Sequence, residues 1–299
     1  MGKLAFVFSG QGDQYPGMGR EAAEKYSAAA GVYEMCDRLR PGTSAQCFGG
    51  REEELRETKN TQPCLFATEL ALAAVLEERG VHPAMAAGFS LGEVAAAAFC
   101  GVMDWETGFS LVCRRGELMQ REAERFETAM AAVLKLPAQE VERLCGQFSQ
   151  LYPVNYNCPG QTTVSGLAER MPDFFAAVKA AGGKAVPLAV KGAFHSPFMK
   201  EAAKDFAAVL AKAELRPGSI PLYGNLTARP YQEEPAELLA RQICSPVRWE
   251  ESIRNMIAEG ADTFVEIGPG RSLTGMIRRI DSGVTAKTAM EYLAEVEGC

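Results

Sequence analysis

The strongest constraint on how this chain folds is a change of rhythm at about residue 128. On either side of it, apolar runs at 4–9, 84–89 and 263–267 alternate with helix-spaced segments at 20–39, 62–79, 91–99, 105–125, 198–213, 234–242 and 248–259. Buried strands separated by helices define a parallel sheet covered on both faces, because each crossover lays its helix over the strands. Asp104 and Ser196 stand near two helix starts, where a short side-chain oxygen can accept from the unpaired N–H groups of a first turn. From 128 to 192 the order differs: strand 129–136, helix 138–148, strand 152–157, strand 161–166, helix 170–181 and strand 184–190.

That order, β-α-β-β-α-β, is ferredoxin-like. Pro159-Gly160 supplies the tight connection between the two middle strands, and Gly182-Gly183 ends the second helix. The expected organisation is a small domain at 128–192 inserted into a large α/β domain made of 1–127 and 193–299. A crevice between two such domains is a favoured place for a ligand.

The pentapeptide Gly88-Phe89-Ser90-Leu91-Gly92 lies between a short apolar run and a helix-forming run. A serine there can occupy a sharp strand-to-helix turn, its hydroxyl exposed and the Leu91 amide aimed at a developing oxyanion. Glycines at 88 and 92 suit an elbow in which strand and helix backbones nearly touch. The chain has two histidines, His82 and His195. His82 precedes the strand that leads to Ser90, and about five strand residues span roughly 17 Å, so it is out of reach. His195 stands where the chain returns from the small domain to the large one, and is the candidate base.

Composition narrows the partners. A net charge of −7 disfavours nucleic acid, although Lys184, Lys191, Arg248, Arg254, Arg271, Arg278 and Arg279 leave the C-terminal half able to receive a phosphorylated or acidic ligand. No apolar run approaches the roughly 20 residues of a membrane span, and no signal-peptide pattern follows Met1. The nine cysteines are scattered singly without C-x-x-C, which points to free thiols in a reducing cytoplasm and away from zinc or disulfides. Glu266-Ile267-Gly268-Pro269-Gly270 lacks the Lys-Ser/Thr of a P-loop and reads as a strand-to-helix turn.

Seven ordered motifs carry a resemblance. They are Phe8-Ser9-Gly10-Gln11-Gly12, Gly88-Phe89-Ser90-Leu91-Gly92-Glu93, Arg115-Gly116-x-x-Met119-Gln120, Asn155-x-Asn157-x-Pro159-Gly160-Gln161, Gly192-Ala193-Phe194-His195-Ser196-Pro197, Ser245-Pro246-Val247-x-Trp249 and Glu266-x-Gly268-Pro269-Gly270. Over nearly its whole length the chain resembles the malonyl-CoA:acyl carrier protein transacylases and the acyltransferase domains of fatty acid and polyketide synthases. The resemblance implies an α/β-hydrolase-like large domain with a parallel sheet, carrying an inserted ferredoxin-like small domain.

It also implies a ping-pong transfer from malonyl-CoA to the phosphopantetheine thiol of a carrier protein, with no cofactor and no metal. In that scheme Ser90 is the nucleophile, His195 the base, and the N–H groups of Gln11 and Leu91 the oxyanion donors. Arg115 would bind the malonyl carboxylate with its planar fork. A main-chain carbonyl in the segment 245–248 would orient His195, since no acidic third member stands out. Asn157, Gln161 and Phe194 fall at family positions near the cleft, and Phe194 favours malonyl over bulkier methylmalonyl. Phe89, Asp13 and Val94 depart from the usual family residues. The expectation is a monomeric, cytoplasmic enzyme that binds neither nucleic acid nor membrane. Two rivals remain, a thioesterase with water as acceptor and a non-catalytic module that only docks carrier protein.

Overall fold

The computed structural model describes residues 2–232 and 234–298; Cys299, one of the expected free thiols, lies outside them. Nine strands occur among the described residues: β1 (Lys3–Phe8), β2 (Met85–Gly88), β3 (Thr128–Leu134), β4 (Leu151–Cys158), β5 (Gln161–Leu167), β6 (Lys184–Pro187), β7 (Leu222–Tyr223), β8 (Ala261–Ile267) and β9 (Thr285–Thr288). Five of them form a sheet in the order β7-β2-β1-β8-β9, and every pairing in it is parallel. Its central strand is apolar and fully buried from Ala5 to Phe8, as a strand covered on both faces must be.

The segment from β3 to β6 forms a second sheet in the order β4-β5-β3-β6, antiparallel throughout. With the helices Ala138–Cys145 and Met171–Ala180 it has the ferredoxin-like order and pairing. This matches the sequence expectation, except that β6 stops at Pro187 rather than 190.

Other boundaries differ for local reasons. The segment 20–39 is two helices, Arg20–Lys25 and Ser27–Leu39, broken at Tyr26, which is extended at φ −125° and ψ 124°. The helix expected from 62 starts at Thr58 and carries Pro63 inside it. Its first turn is held from outside, since the Thr58 N–H donates to Gln120 Oε1 at 2.9 Å. Both expected caps form: Asp104 Oδ1 accepts from the Thr107 N–H at 2.7 Å, and Ser196 Oγ accepts from the Phe198 N–H at 3.3 Å. The two-residue β7, edge strand β9 and helices Thr43–Gly49, Glu52–Leu55 and Ala289–Gly298 were not legible, because they are short or weakly periodic, whereas the Ser272–Ile280 helix follows the strand-to-helix turn read at 266–270. The eight described cysteines are free.

The Leu91–Phe99 helix is buried along its whole length, and its small residues let it lie directly on the sheet. At its start the backbones all but touch. A Cβ on Gly88 would lie 2.0 Å from the Gly92 carbonyl carbon, and one on Gly92 would lie 2.3 Å from the Phe8 and Ser9 oxygens. Neither neighbour is a movable side chain. Gly92→Ala is therefore expected to cost about 2–3 kcal/mol in guanidinium unfolding, whereas Gly275→Ala, in a helix with nothing near the new methyl, should stabilise by roughly 0.5–1 kcal/mol. Equal effects at the two sites would contradict this account of the elbow.

Candidate active site

Ser90 follows β2 and precedes the Leu91–Phe99 helix with φ 55° and ψ −103°. A non-glycine residue held there is strained by about 1–3 kcal/mol, so the surroundings must enforce it. They do so through Asn225, just beyond β7. Its Oδ1 accepts from the Ser90 N–H at 2.8 Å and its Nδ2 donates to the Gly88 carbonyl at 2.6 Å. The turn pushes the Ser90 hydroxyl out toward His195, whose own φ is 59°. Ser90 Oγ and His195 Nε2 are 2.7 Å apart.

The ring is oriented by the main chain, chiefly by a carbonyl just before the expected segment, while the backbone of Ser245, inside that segment, also acts on the imidazole. His195 Nδ1 lies 2.9 Å from the carbonyl oxygen of Gln242, outside the expected 245–248. Gln242 is the last residue of the Pro235–Gln242 helix, and a terminal carbonyl has no partner within its own helix. Residues 247 and 248 are engaged elsewhere: Val247 exchanges hydrogen bonds with Val154 and Tyr156 of β4 at 2.8 and 2.9 Å, and the Arg248 N–H donates to the Asn225 carbonyl. A carbonyl can only accept, so Nδ1 carries the proton and Nε2 presents its lone pair to the serine hydroxyl.

The Gln242 side chain links the remaining groups. Nε2 donates to the Ser90 carbonyl at 2.6 Å and to Glu93 Oε2 at 2.8 Å, while Oε1 accepts from Arg115 Nη2 at 2.7 Å. Arg115, on the Trp105–Ala123 helix, is fully buried. Its Nη1 donates to Gln62 Oε1 at 2.9 Å, and its Nη2 stands 3.4 Å from Ser90 Oγ. Nε is buried without a partner among the described residues. Glu93 accepts from the Tyr231 hydroxyl at 2.6 Å and from the Asn225 N–H at 3.2 Å. Gln62, Glu93, Asn225 and Gln242 were not picked out as site residues from the sequence. Only Gln62, just before Pro63, and Glu93, in the serine motif, sit in recognisable patterns.

Burial sets the electrostatics. It lowers the His195 pKa to about 4, with the Arg115 charge acting in the same direction. It lowers Arg115 to about 10, which leaves the guanidinium charged at neutral pH, and pushes Glu93 up to about 7 against the donors that hold it. The site is thus a neutral imidazole beside a buried cation.

A crevice with a volume of about 80 Å³ joins Ser90 and His195 to Gln11, Leu91 and Phe194, and Met130, Leu188 and Val190 contribute apolar walls. Leu91 opens its helix, so its N–H is one of the first four without an intrahelical acceptor. Asn157 and Gln161 do not reach the crevice. The Asn157 amide donates to Thr163 Oγ1 at 3.2 Å, and Gln161 accepts from Arg279 Nη1 at 2.7 Å; both sit farther along the hairpin. Asn155, two residues earlier on β4, lines the crevice instead, its Oδ1 buried and without a partner among the described residues. Phe89 packs edge-on against Trp249 with ring centroids 5.5 Å apart. Asp13 accepts from the Ser272 hydroxyl, and burial raises its pKa to about 6.

A half-buried serine paired with a buried histidine beside a buried arginine suits acyl transfer, and the acyl transferase domain family matches residues 5–290, so the chain belongs to that family. Its relatives narrow the placement to the malonyl CoA-acyl carrier protein transacylases. The Bacillus subtilis protein of that name is 37% identical over 94% of this chain and 91% of its own, and the Escherichia coli one 36% over 97% of each. The crystal structure of the Clostridium perfringens transacylase superposes with a TM-score of 0.95, at 31% identity and covering 99% and 98% of the two chains. A malonyl-transacylase in complex with a type II polyketide acyl-carrier protein superposes at 0.93, with 34% identity and 98% and 99% coverage.

The depressed histidine fixes a pH dependence. Because His195 stays neutral down to about pH 4, the acid limb of kcat/KM for acylation is expected near pH 4 and not near the ordinary 6.5. The stability it contributes is complete above 6.5 and is lost as pH falls from there toward about 4. A stopped-flow pH series showing the acid limb at 6–7 would remove this assignment.

Proposed function

We propose that the chain carries a malonyl group from malonyl-CoA to the phosphopantetheine thiol of a carrier protein through a malonyl-Ser90 intermediate. The reaction crevice in this reading lies between a large domain, 1–127 and 193–299, and a small one, 128–192. His195 Nε2 takes the Ser90 proton as Oγ attacks the thioester carbonyl, and the Gln242 carbonyl stabilises the imidazolium that forms. The N–H groups of Leu91 and Gln11 receive the oxyanion, each such donor being worth about 3–4 kcal/mol. Collapse expels coenzyme A, whose sulfur takes the proton back from His195. The carrier thiol then reverses these steps.

The observation that carries this reading is Arg115, a fully buried guanidinium 3.4 Å from the serine oxygen. Its two terminal nitrogens are held by neutral glutamine oxygens, which fix the fork without cancelling its charge. A carboxylate on the acyl group would complete it, whereas an acetyl group would leave it unmatched. A hydrolase with the same pair has no support from the relatives named above, which are transacylases. Among the described residues, no helix is long and apolar enough to cross a membrane.

A brief malonyl-CoA pulse followed by mass spectrometry is expected to find a malonyl group on the Ser90 peptide, and none in Ser90→Ala. Free malonate as the main product with carrier protein present would instead support hydrolysis. Arg115→Ala should reduce malonyl transfer about 100-fold while raising relative turnover of acetyl-CoA. An unchanged malonyl-to-acetyl ratio would remove Arg115 from recognition.

A further inference from the structure

Glu69 is a buried acid that the chemistry above does not use. It lies on the Thr58–Glu78 helix and is fully buried, and its Oε1 accepts from the equally buried Ser9 hydroxyl at 2.7 Å. Oε2 has no partner among the described residues. Burial raises the Glu69 pKa well above the usual carboxylate range, and Asp13 and Glu266 add to the effect. An apolar side chain of similar size would suit this environment better, because a polar group with one orphaned oxygen costs stability in a core. Stability therefore does not explain it.

Its partner's position does. Ser9 directly follows β1 and leads into Gly10-Gln11, and its N–H donates to the Ile267 carbonyl at 3.1 Å. Its carbonyl abuts Gly92 of the elbow, and its side chain fills a slot open only because residue 268 is glycine: a Cβ there would lie 2.2 Å from Ser9 Oγ. The helix that holds Ser9 through Glu69 also holds the Gln11 side chain through Thr58 Oγ1 at 3.3 Å and Arg115 through Gln62 at 2.9 Å. One rigid element thus bears on both the oxyanion loop and the guanidinium.

We infer that the Ser9–Glu69 hydrogen bond is a positioning pair for acylation, fixing the loop that presents the Gln11 N–H group to the oxyanion; this rests on the malonyl-transfer reading. The pair touches no substrate. Its removal alters the placement of a donor that matters in the transition state more than in the bound ground state, so it acts on kcat and leaves KM alone.

The test is single-turnover malonylation of Ser90, with steady-state KM for malonyl-CoA and thermal unfolding, on Ser9→Ala, Glu69→Met and Glu69→Gln. Wild type is read first: if it takes up no malonyl group on Ser90, the transfer reading fails, independently of the pair. With wild type active, Ser9→Ala and Glu69→Met are expected to slow acylation about tenfold at saturating malonyl-CoA, with KM within about twofold. Glu69→Met should melt within a few degrees of wild type, since the orphaned Oε2 it removes offsets the Ser9 hydroxyl it leaves unpaired. Glu69→Gln, which keeps an acceptor for Ser9, should return the rate to within about twofold of wild type. Slowing of less than about threefold in Ser9→Ala and Glu69→Met, a loss that tracks a lowered melting temperature, or a glutamine variant no faster than the methionine one would overturn the pair. If Glu69→Met does not fold, Ser9→Ala decides by the same threshold.

Discussion

The left-handed turn at Ser90 is the constraint on which the rest of the site depends. A serine prefers not to adopt φ 55°, and here the conformation is imposed from three sides. Strand and helix backbones leave room only for glycine at 88 and 92, and Asn225 binds both the Gly88 carbonyl and the Ser90 N–H. Gln242 binds the Ser90 carbonyl. Each peptide group around the nucleophile is therefore spoken for, and the hydroxyl is the part left free to react.

Gln242 makes the site a single unit. Its main-chain oxygen fixes the histidine tautomer, and its side chain ties Arg115, Glu93 and the elbow together. A neutral amide can serve a cation and an anion at once because it has both donor and acceptor ends. A carboxylate in its place could not donate to Glu93. The same residue thus orients the base, seats the specificity arginine and braces the nucleophile, which explains why the site needs no acidic third partner next to the imidazole.

What the sequence made legible was whatever repeats or stands out chemically. The β-α-β-β-α-β order was readable because each element is long enough to show its period, and the serine elbow because glycine has few other reasons to flank a serine so closely. His195 was found by elimination between two histidines. The elbow itself pointed to the Leu91 amide, and the resemblance supplied Arg115 and Gln11. Gln242 was invisible because its defining atom is a backbone carbonyl, which every residue has, and Asn225 because the strand that delivers it is two residues long. The motif offers Asn157 as either a hairpin residue or a cleft residue, and it is Asn155, two positions earlier on the strand, that faces the crevice. Alternation alone cannot settle that, since both residues share a face and only the position of the serine elbow relative to the strand distinguishes them.

The short backbone bridge between Val247 and β4 has a mechanical consequence. It welds the small sheet to the stretch immediately following the histidine's carbonyl partner, so that strand and carbonyl move as one body. If the crevice widens to admit a long thioester arm, the swing falls on the two crossings of the chain, 124–127 before β3 and 188–194 after β6, and the second runs directly into His195. The geometry of the base and the width of the entrance then become a single mechanical variable.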